Sequence, residues 1–215
     1  MKYLADIKRF IHLLVESERF HLFTVMGAPG WAKTHGTRTT LAELGVNYQL
    51  LGSYATPLAL FNKLAEDPKQ TLVIDDCAGV FHNPQAMSIL NAASWPSAEA
   101  EGRRRVIWTS TTEKAVTDSF DFQGKIIVLT NFIPETPQAK AFISRALHYR
   151  IEIDHESIGS HLREADKSKA HYPETKRALE VASFLSSHAH YHEPGKISLR
   201  TLDLGYELAA LDPDN

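Results

Sequence analysis

Leu22-Phe23-Thr24-Val25-Met26-Gly27-Ala28-Pro29-Gly30-Trp31-Ala32-Lys33-Thr34 sets a strand-like apolar run directly before a glycine-bearing turn that ends in lysine and threonine. From Lys33 the pattern continues as a helix. A loop between a strand and a helix aims several backbone N–H groups and the positive end of the helix dipole at one point, which favours a polyanion. Lys33 would reach the β- and γ-phosphates of a nucleotide and the Thr34 hydroxyl would hold Mg2+, with His35 following in the first helical turn. Where a glycine is expected before the lysine, the chain has Ala32. Its methyl group is tolerated if the local backbone keeps φ negative.

Outward from this stretch, short apolar strands alternate with helical patterns. Strands are expected at Leu22 to Met26, Val46 to Leu51, Thr71 to Asp75, Lys125 to Thr130 and Tyr149 to Ile153. Helices are expected at Lys33 to Leu44, Pro57 to Ala65, Asn83 to Ala93 and Ala139 to Leu147, and Met1 to Ser17 reads as an amphipathic helix with Leu4, Ile7, Ile11 and Leu14 on one face. Such alternation predicts an α/β fold with a mostly parallel sheet and helices on both faces. After Asp154 the strands stop, and His155 to Ala170, Glu174 to His188 and Leu199 to Leu211 read as helices. The expected division is therefore 1–154 for the sheet unit and 155–215 for a small helical unit.

Composition narrows the function classes. No apolar run approaches the roughly 20 residues of a membrane span, and acidic Asp6 and Glu16 in the first helix argue against a cleaved signal peptide. The single cysteine, Cys77, allows no internal disulfide and fits a reducing cytoplasm, where the chain is expected to work. A net charge of −3 gives no sign of a surface coated in nucleic acid, although a local basic patch is compatible with it.

Two further strand ends carry chemistry. Leu72-Val73-Ile74-Asp75-Asp76 places paired carboxylates at the carboxyl edge of the sheet, where ligands bind in open α/β folds. Asp75 would hold Mg2+ directly or through water, and Asp76 would orient or deprotonate an attacking water. Ile126-Ile127-Val128-Leu129-Thr130-Asn131 ends in an amide that can position that water. Either strand end alone would read as a turn; about 40 residues after a phosphate loop, the acid pair gains meaning.

Gly27-Ala28-Pro29-Gly30, Ala32-Lys33-Thr34, Asp75-Asp76 and Asn131 resemble Walker A, Walker B and sensor 1 of the AAA+ ATPases, in that family's order. The resemblance covers about Phe20 to Asp154 and extends to the helical lid that the family carries next. It implies a P-loop NTPase with a five-stranded parallel sheet sandwiched by helices, binding ATP through Gly27, Ala28, Pro29, Gly30, Trp31, Ala32, Lys33, Thr34 and His35, with Mg2+ on Thr34 and Asp75. Alanine before the lysine recurs in minichromosome-maintenance helicases and MoxR-type ATPases, which points to the branch with a hairpin before sensor 1. The resemblance also nominates Arg145 as an arginine finger reaching a neighbouring subunit, and Arg200 as the lid's sensor 2 arginine on the nucleotide of its own subunit. Arg145 can equally be a solvated helix residue paired to a carboxylate. Ser198 reads as the N-cap of the helix that carries Arg200.

Between Arg103 and Gly124 the pattern is β-branched and aromatic, turns over Thr112 to Asp118 and alternates back, predicting an inserted hairpin. Lys114 near its tip could meet a phosphate backbone, with Arg103, Arg104 and Arg105 adding positive potential at the base; the alternative is a charged, solvated rim. His188, His190 and His192 are better read as a loop between lid helices than as a zinc site, and Cys77 as a small packing residue. Trp31 could cover the nucleotide or meet a subunit.

Three functions follow as expectations. One is a DNA-directed motor, helicase or loader component, working as a homo-oligomeric ring or helix such as a hexamer, with DNA and a targeting or loading protein as candidate partners. A second is a MoxR-like protein remodeller. The third is a slow nucleotide-dependent assembly factor, favoured by Asp76 where most of the family has glutamate, because a shorter carboxylate stands about one methylene further from the water.

Overall fold

The computed structural model describes residues 2–98, 100–109, 114–168, 176–188 and 196–211. The chain divides into two compact units, one formed by Asp6–Met26 and Thr34–Arg150, the other by Met1–Ala5, Gly27–Lys33 and Ile151–Asn215. The loop Gly27–Lys33 thus groups with the C-terminal helices, not with the sheet from which it emerges.

In chain order the elements are α1 (Lys2–Glu16), β1 (Leu22–Met26), α2 (Lys33–Glu43), β2 (Tyr48–Gly52), α3 (Pro57–Glu66), β3 (Thr71–Asp75), α4 (Ala78–His82) and α5 (Pro84–Ser94). There follow β4 (Arg105–Ile107), β5 (Ser119–Asp121), β6 (Ile126–Thr130), α6 (Pro137–Ile143), β7 (Leu147–Arg150), α7 (His155–Ser168), α8 (Lys176–His188) and α9 (Leu199–Leu211). Five strands form one parallel sheet, as the apolar runs predict, and the structure orders them β2-β3-β6-β1-β7. β1 lies inside the sheet, with Leu22 opposite Ile126 and Phe23 opposite Leu147.

Burial on both faces explains why these strands read as continuous apolar runs instead of alternating ones. Leu22, Leu72, Ile74, Ile126 and Val128 face a core completed by Leu60, Phe61, Met87, Leu90 and Phe142. Their neighbours Phe23, Val25, Val73, Ile127 and Leu129 are equally buried. Phe10 of α1 stacks on Phe23 with ring centroids 5.5 Å apart, and the Tyr149 hydroxyl donates to Asp6 at 3.0 Å.

Local chemistry sets the helix starts. Thr56, Asn83 and Thr136 cap α3, α5 and α6 through side-chain oxygens, each followed by proline in the first turn. Some boundaries differ from the sequence reading. α6 stops at Ile143 and the chain enters β7 at Leu147, so Ser144 caps the helix and Arg145 lies beyond it. The short α4 has no periodic signal because it is only 5 residues long.

The predicted hairpin is present as antiparallel β4–β5, pairing Arg105 with Asp121 and Val106 with Phe120. It is docked on α3: Phe61 meets Trp108 and Phe120 at 5.5 and 5.1 Å, and the Val116 N–H donates to Asn62. Residues 110–113, at the expected turn, lie outside the described residues, as do His190 and His192.

In the other unit α7, α8 and α9 form a helical group in which a side chain on Gly205 would run into Val181. Among the described residues no helix is long and apolar enough to cross a membrane, and no cluster of His, Cys, Asp or Glu forms a metal site.

Candidate functional site

β1 delivers the chain into the loop Gly27–Lys33, and α2 begins at Lys33. Gly27 is forced to be glycine by space, since a Cβ there would stand 2.8 Å from Cβ of Ile151. Gly30 is forced by conformation as well: its φ is +78°, and an added methyl would overlap the Ser198 hydroxyl. The Leu199 N–H donates to the Gly30 carbonyl at 3.1 Å, so the start of α9 lies against the loop.

Ala32 departs from the expectation. Its φ is +54°, in the left-handed region, so the alanine occupies a backbone state that glycine would adopt without cost. Trp31 packs inward. Its ring is 2% exposed, edge-on to Tyr3 at 6.3 Å and to His161 at 6.2 Å. The Lys33 ammonium donates to the carbonyls of Gly27 at 2.7 Å and Ala28 at 2.9 Å, which holds the cation over the loop. His35 is exposed on the first turn of α2.

Arg200 lies in the first turn of α9, and its Cβ would be 3.4 Å from a Cβ built on Gly30. Its side chain is exposed, and no carboxylate among the described residues pairs with it. Ser198 immediately precedes this helix. There the Thr201 hydroxyl accepts from the Ser198 N–H at 3.1 Å, and the Ser198 carbonyl accepts from Leu202.

At the carboxyl edge of the sheet the Thr34 hydroxyl donates to Asp75 at 3.1 Å. Hydroxyl and carboxylate oxygens brought together are the hard donors that Mg2+ takes, so these residues fit that ion. Asp76, one residue on, is exposed with φ +51°. Aspartate enters the left-handed region more readily than longer side chains. The Asp76 N–H donates to Leu129 at 3.1 Å, and its carboxylate accepts from the Asn131 amide, also at 3.1 Å. The acid just after β3 and the amide just after β6 therefore meet at adjacent strand ends. Cys77 is buried, which raises its thiol pKa and suits a packing role.

Arg145 donates from Nη1 to the Asn91 side-chain oxygen at 2.7 Å. The carboxylate partner of the alternative reading is not found among the described residues. Asn91, in the last turn of α5, carries no sequence signal that would have singled it out.

The three arginines before the hairpin behave unlike the positive base expected of them. Arg103 and Arg105 both bind Asp121, with N···O distances of 3.1 and 2.8 Å, and Arg103 also pairs with Glu101. Arg104 points inward, 7% exposed, donating to the carbonyls of Ala93 and Gly124 at 2.9 and 2.8 Å and lying 5.3 Å from the Phe122 ring centre. Burial lowers its pKa to about 10, so it remains a cation at neutral pH. Two charges are neutralised and the third is interior, which leaves exposed Lys114 as the remaining candidate of that group.

Five parallel strands in this order, with a glycine-bearing loop after β1, an acid pair at the end of β3 and an amide after β6, have the α/β fold of P-loop NTPases. Solved structures share it. The replication initiator DnaA, bound to AMPPCP and single-stranded DNA, matches 98% of this chain and 61% of its own at a TM-score of 0.56 and 12% identity. The Aeropyrum pernix Orc1 protein in complex with DNA matches 99% and 59%, at 0.52 and 12%. Domain III of the Thermotoga maritima replication initiation protein DnaA matches 97% and 83%, at 0.53 and 14%. The chain thus spans about three fifths of the first two proteins and most of the third. No protein-family model and no curated protein matches it in sequence.

Proposed function

We propose that the chain is a DNA-directed AAA+ ATPase of the replication-initiator and helicase-loader kind, which binds Mg-ATP at Gly27–Thr34 and hydrolyses it where copies of the chain meet. The observation that carries the reading is the contact of Asp76 with Asn131 one residue beyond the Thr34–Asp75 pair. In this reading backbone N–H groups of the loop and Lys33 bind the phosphates, with Lys33 exchanging two loop carbonyls for anionic oxygens. Thr34 and Asp75 hold Mg2+, which when bound neutralises phosphate charge. Asp76 accepts the proton of the attacking water, and Asn131 fixes the direction of attack.

Arg200, beside Gly30 and without a carboxylate partner among the described residues, is suited to the nucleotide of its own subunit; Arg145, held by a neutral amide instead of a carboxylate, is suited to a neighbour's γ-phosphate. The β4–β5 hairpin supports the branch that carries an insertion before sensor 1. Targeting to DNA is suggested by the DNA-bound DnaA and Orc1 structures of like fold, with Lys114 as the contact from this chain.

Lys33→Ala should abolish ATP turnover; retained hydrolysis would remove the assignment. Single-stranded or duplex DNA should stimulate turnover at low salt, and Lys114→Ala should reduce that stimulation. No stimulation would favour protein remodelling of the MoxR type or a slow switch. The slow switch has its own support in Asp76, whose short carboxylate sits on a left-handed backbone.

A further inference from the structure

We infer that Asn91 is a positioning residue for Arg145, fixing the guanidinium that the proposed function presents to the neighbouring subunit; the inference rests on that reading of Arg145. The two residues come from different elements. Arg145 follows the α6 cap, its backbone N–H bound to the Phe142 carbonyl at 3.2 Å, while Asn91 sits near the end of α5, where its carbonyl accepts from Ser94 Oγ and the Trp95 N–H. Both backbones are therefore anchored, and the 2.7 Å bond from Nη1 to Oδ1 fixes the long side chain between them.

The chemistry of the partner matters. A carboxylate would take the guanidinium in a bidentate fork and neutralise it, as Asp121 does for Arg105. An amide oxygen takes one donor, leaves the other N–H groups available and leaves the charge in place. An untethered arginine would surrender rotamer freedom each time it reached a γ-phosphate, a cost that this bond meets in advance. Arg145 is half-buried, and its bond to Asn91 is part-buried.

The experiment uses mixtures of two full-length variants. Lys33→Ala subunits lack the nucleotide site but carry Arg145; Arg145→Ala subunits have the site but no finger. Mixing them should restore turnover at mixed contacts. Introducing Asn91→Ala into the Lys33→Ala subunit should then cut the restored turnover about tenfold while leaving KM for ATP nearly unchanged. Asn91→Asp in the same subunit, which preserves shape, should cut it at least as far by neutralising the charge, and so covers the case in which Asn91→Ala does not fold. Restoration undiminished by either substitution would overturn the role of Asn91 while leaving the finger. An equal loss when the substitution sits in the Arg145→Ala subunit would make Asn91 merely structural and overturn it too. No restoration with Asn91 intact would remove the finger, and this inference with it.

Discussion

Ala32 holds a left-handed backbone at φ +54°, a state that costs a residue with a Cβ about 1–2 kcal/mol relative to glycine. Part of that is recovered because alanine is stiffer than glycine in the unfolded chain. Ala32→Gly should therefore stabilise the protein by roughly 0.5–1 kcal/mol, read as a higher urea midpoint with unchanged slope. A lower midpoint would mean that the methyl group has contacts outweighing the strain. The identity of this residue was plain in the sequence, but its dihedral was not, because the expected tolerance of alanine assumed negative φ. Asp76 is a parallel case: the sequence shows a shorter acid where glutamate is usual, and only the backbone supplies a physical reason for aspartate. Asn91 was illegible, since an asparagine within a helix means nothing until its partner is known.

At the scale of elements, the hairpin shows where patterns inform and where they mislead. Its existence followed from β-branched and aromatic residues on either side of a turn, whereas the direction of three consecutive arginines did not. Along the extended segment that leads into β4 exposed and buried residues alternate, so Arg103 and Arg105 are exposed and Arg104 is buried. Arg104→Met would leave the Ala93 and Gly124 carbonyls buried without their donor and should cost about 2 kcal/mol. A chemical denaturation curve within error of the parent would show that water or a neighbour replaces it. Close by, His21 enters β1 with Nδ1 buried and without a hydrogen-bond partner among the described residues. Burial first, then the charges of Arg104 and Lys125, lower its pKa from 6.5 to about 4. The unfolded chain takes up this proton near 6.5 and the folded chain only near 4, so stability should fall as pH drops through that window and level off below it. Thermal midpoints measured across the range should flatten in His21→Gln; an unchanged slope would assign the effect to other groups. Strand positions were legible because full burial leaves unbroken apolar runs. The end of α6 was not, because Ala146 and Leu147 are as apolar as the helix they follow.

For the whole molecule, a reaction that needs Arg145 from a neighbour makes specific activity depend on protein concentration. Under the proposed function, turnover per chain should rise steeply as copies associate, and Arg145→Ala should lower the plateau by about a thousandfold, the loss that removal of an arginine finger gives. Equal specific activity across dilution in a protein shown to be monomeric would place the complete reaction in one chain. The sheet order has a consequence of a different kind, for how the chain comes to be folded. β1 pairs only with β6 and β7, each roughly a hundred residues further along. During synthesis Leu22, Phe23 and Val25 emerge early and stay without their sheet neighbours until Ile126 and then Leu147 have left the ribosome. Such long-range closure makes folding slow and leaves an aggregation-prone strand waiting. The strand that leads into the loop Gly27–Lys33 is therefore the one whose exposure a chaperone would have to cover longest.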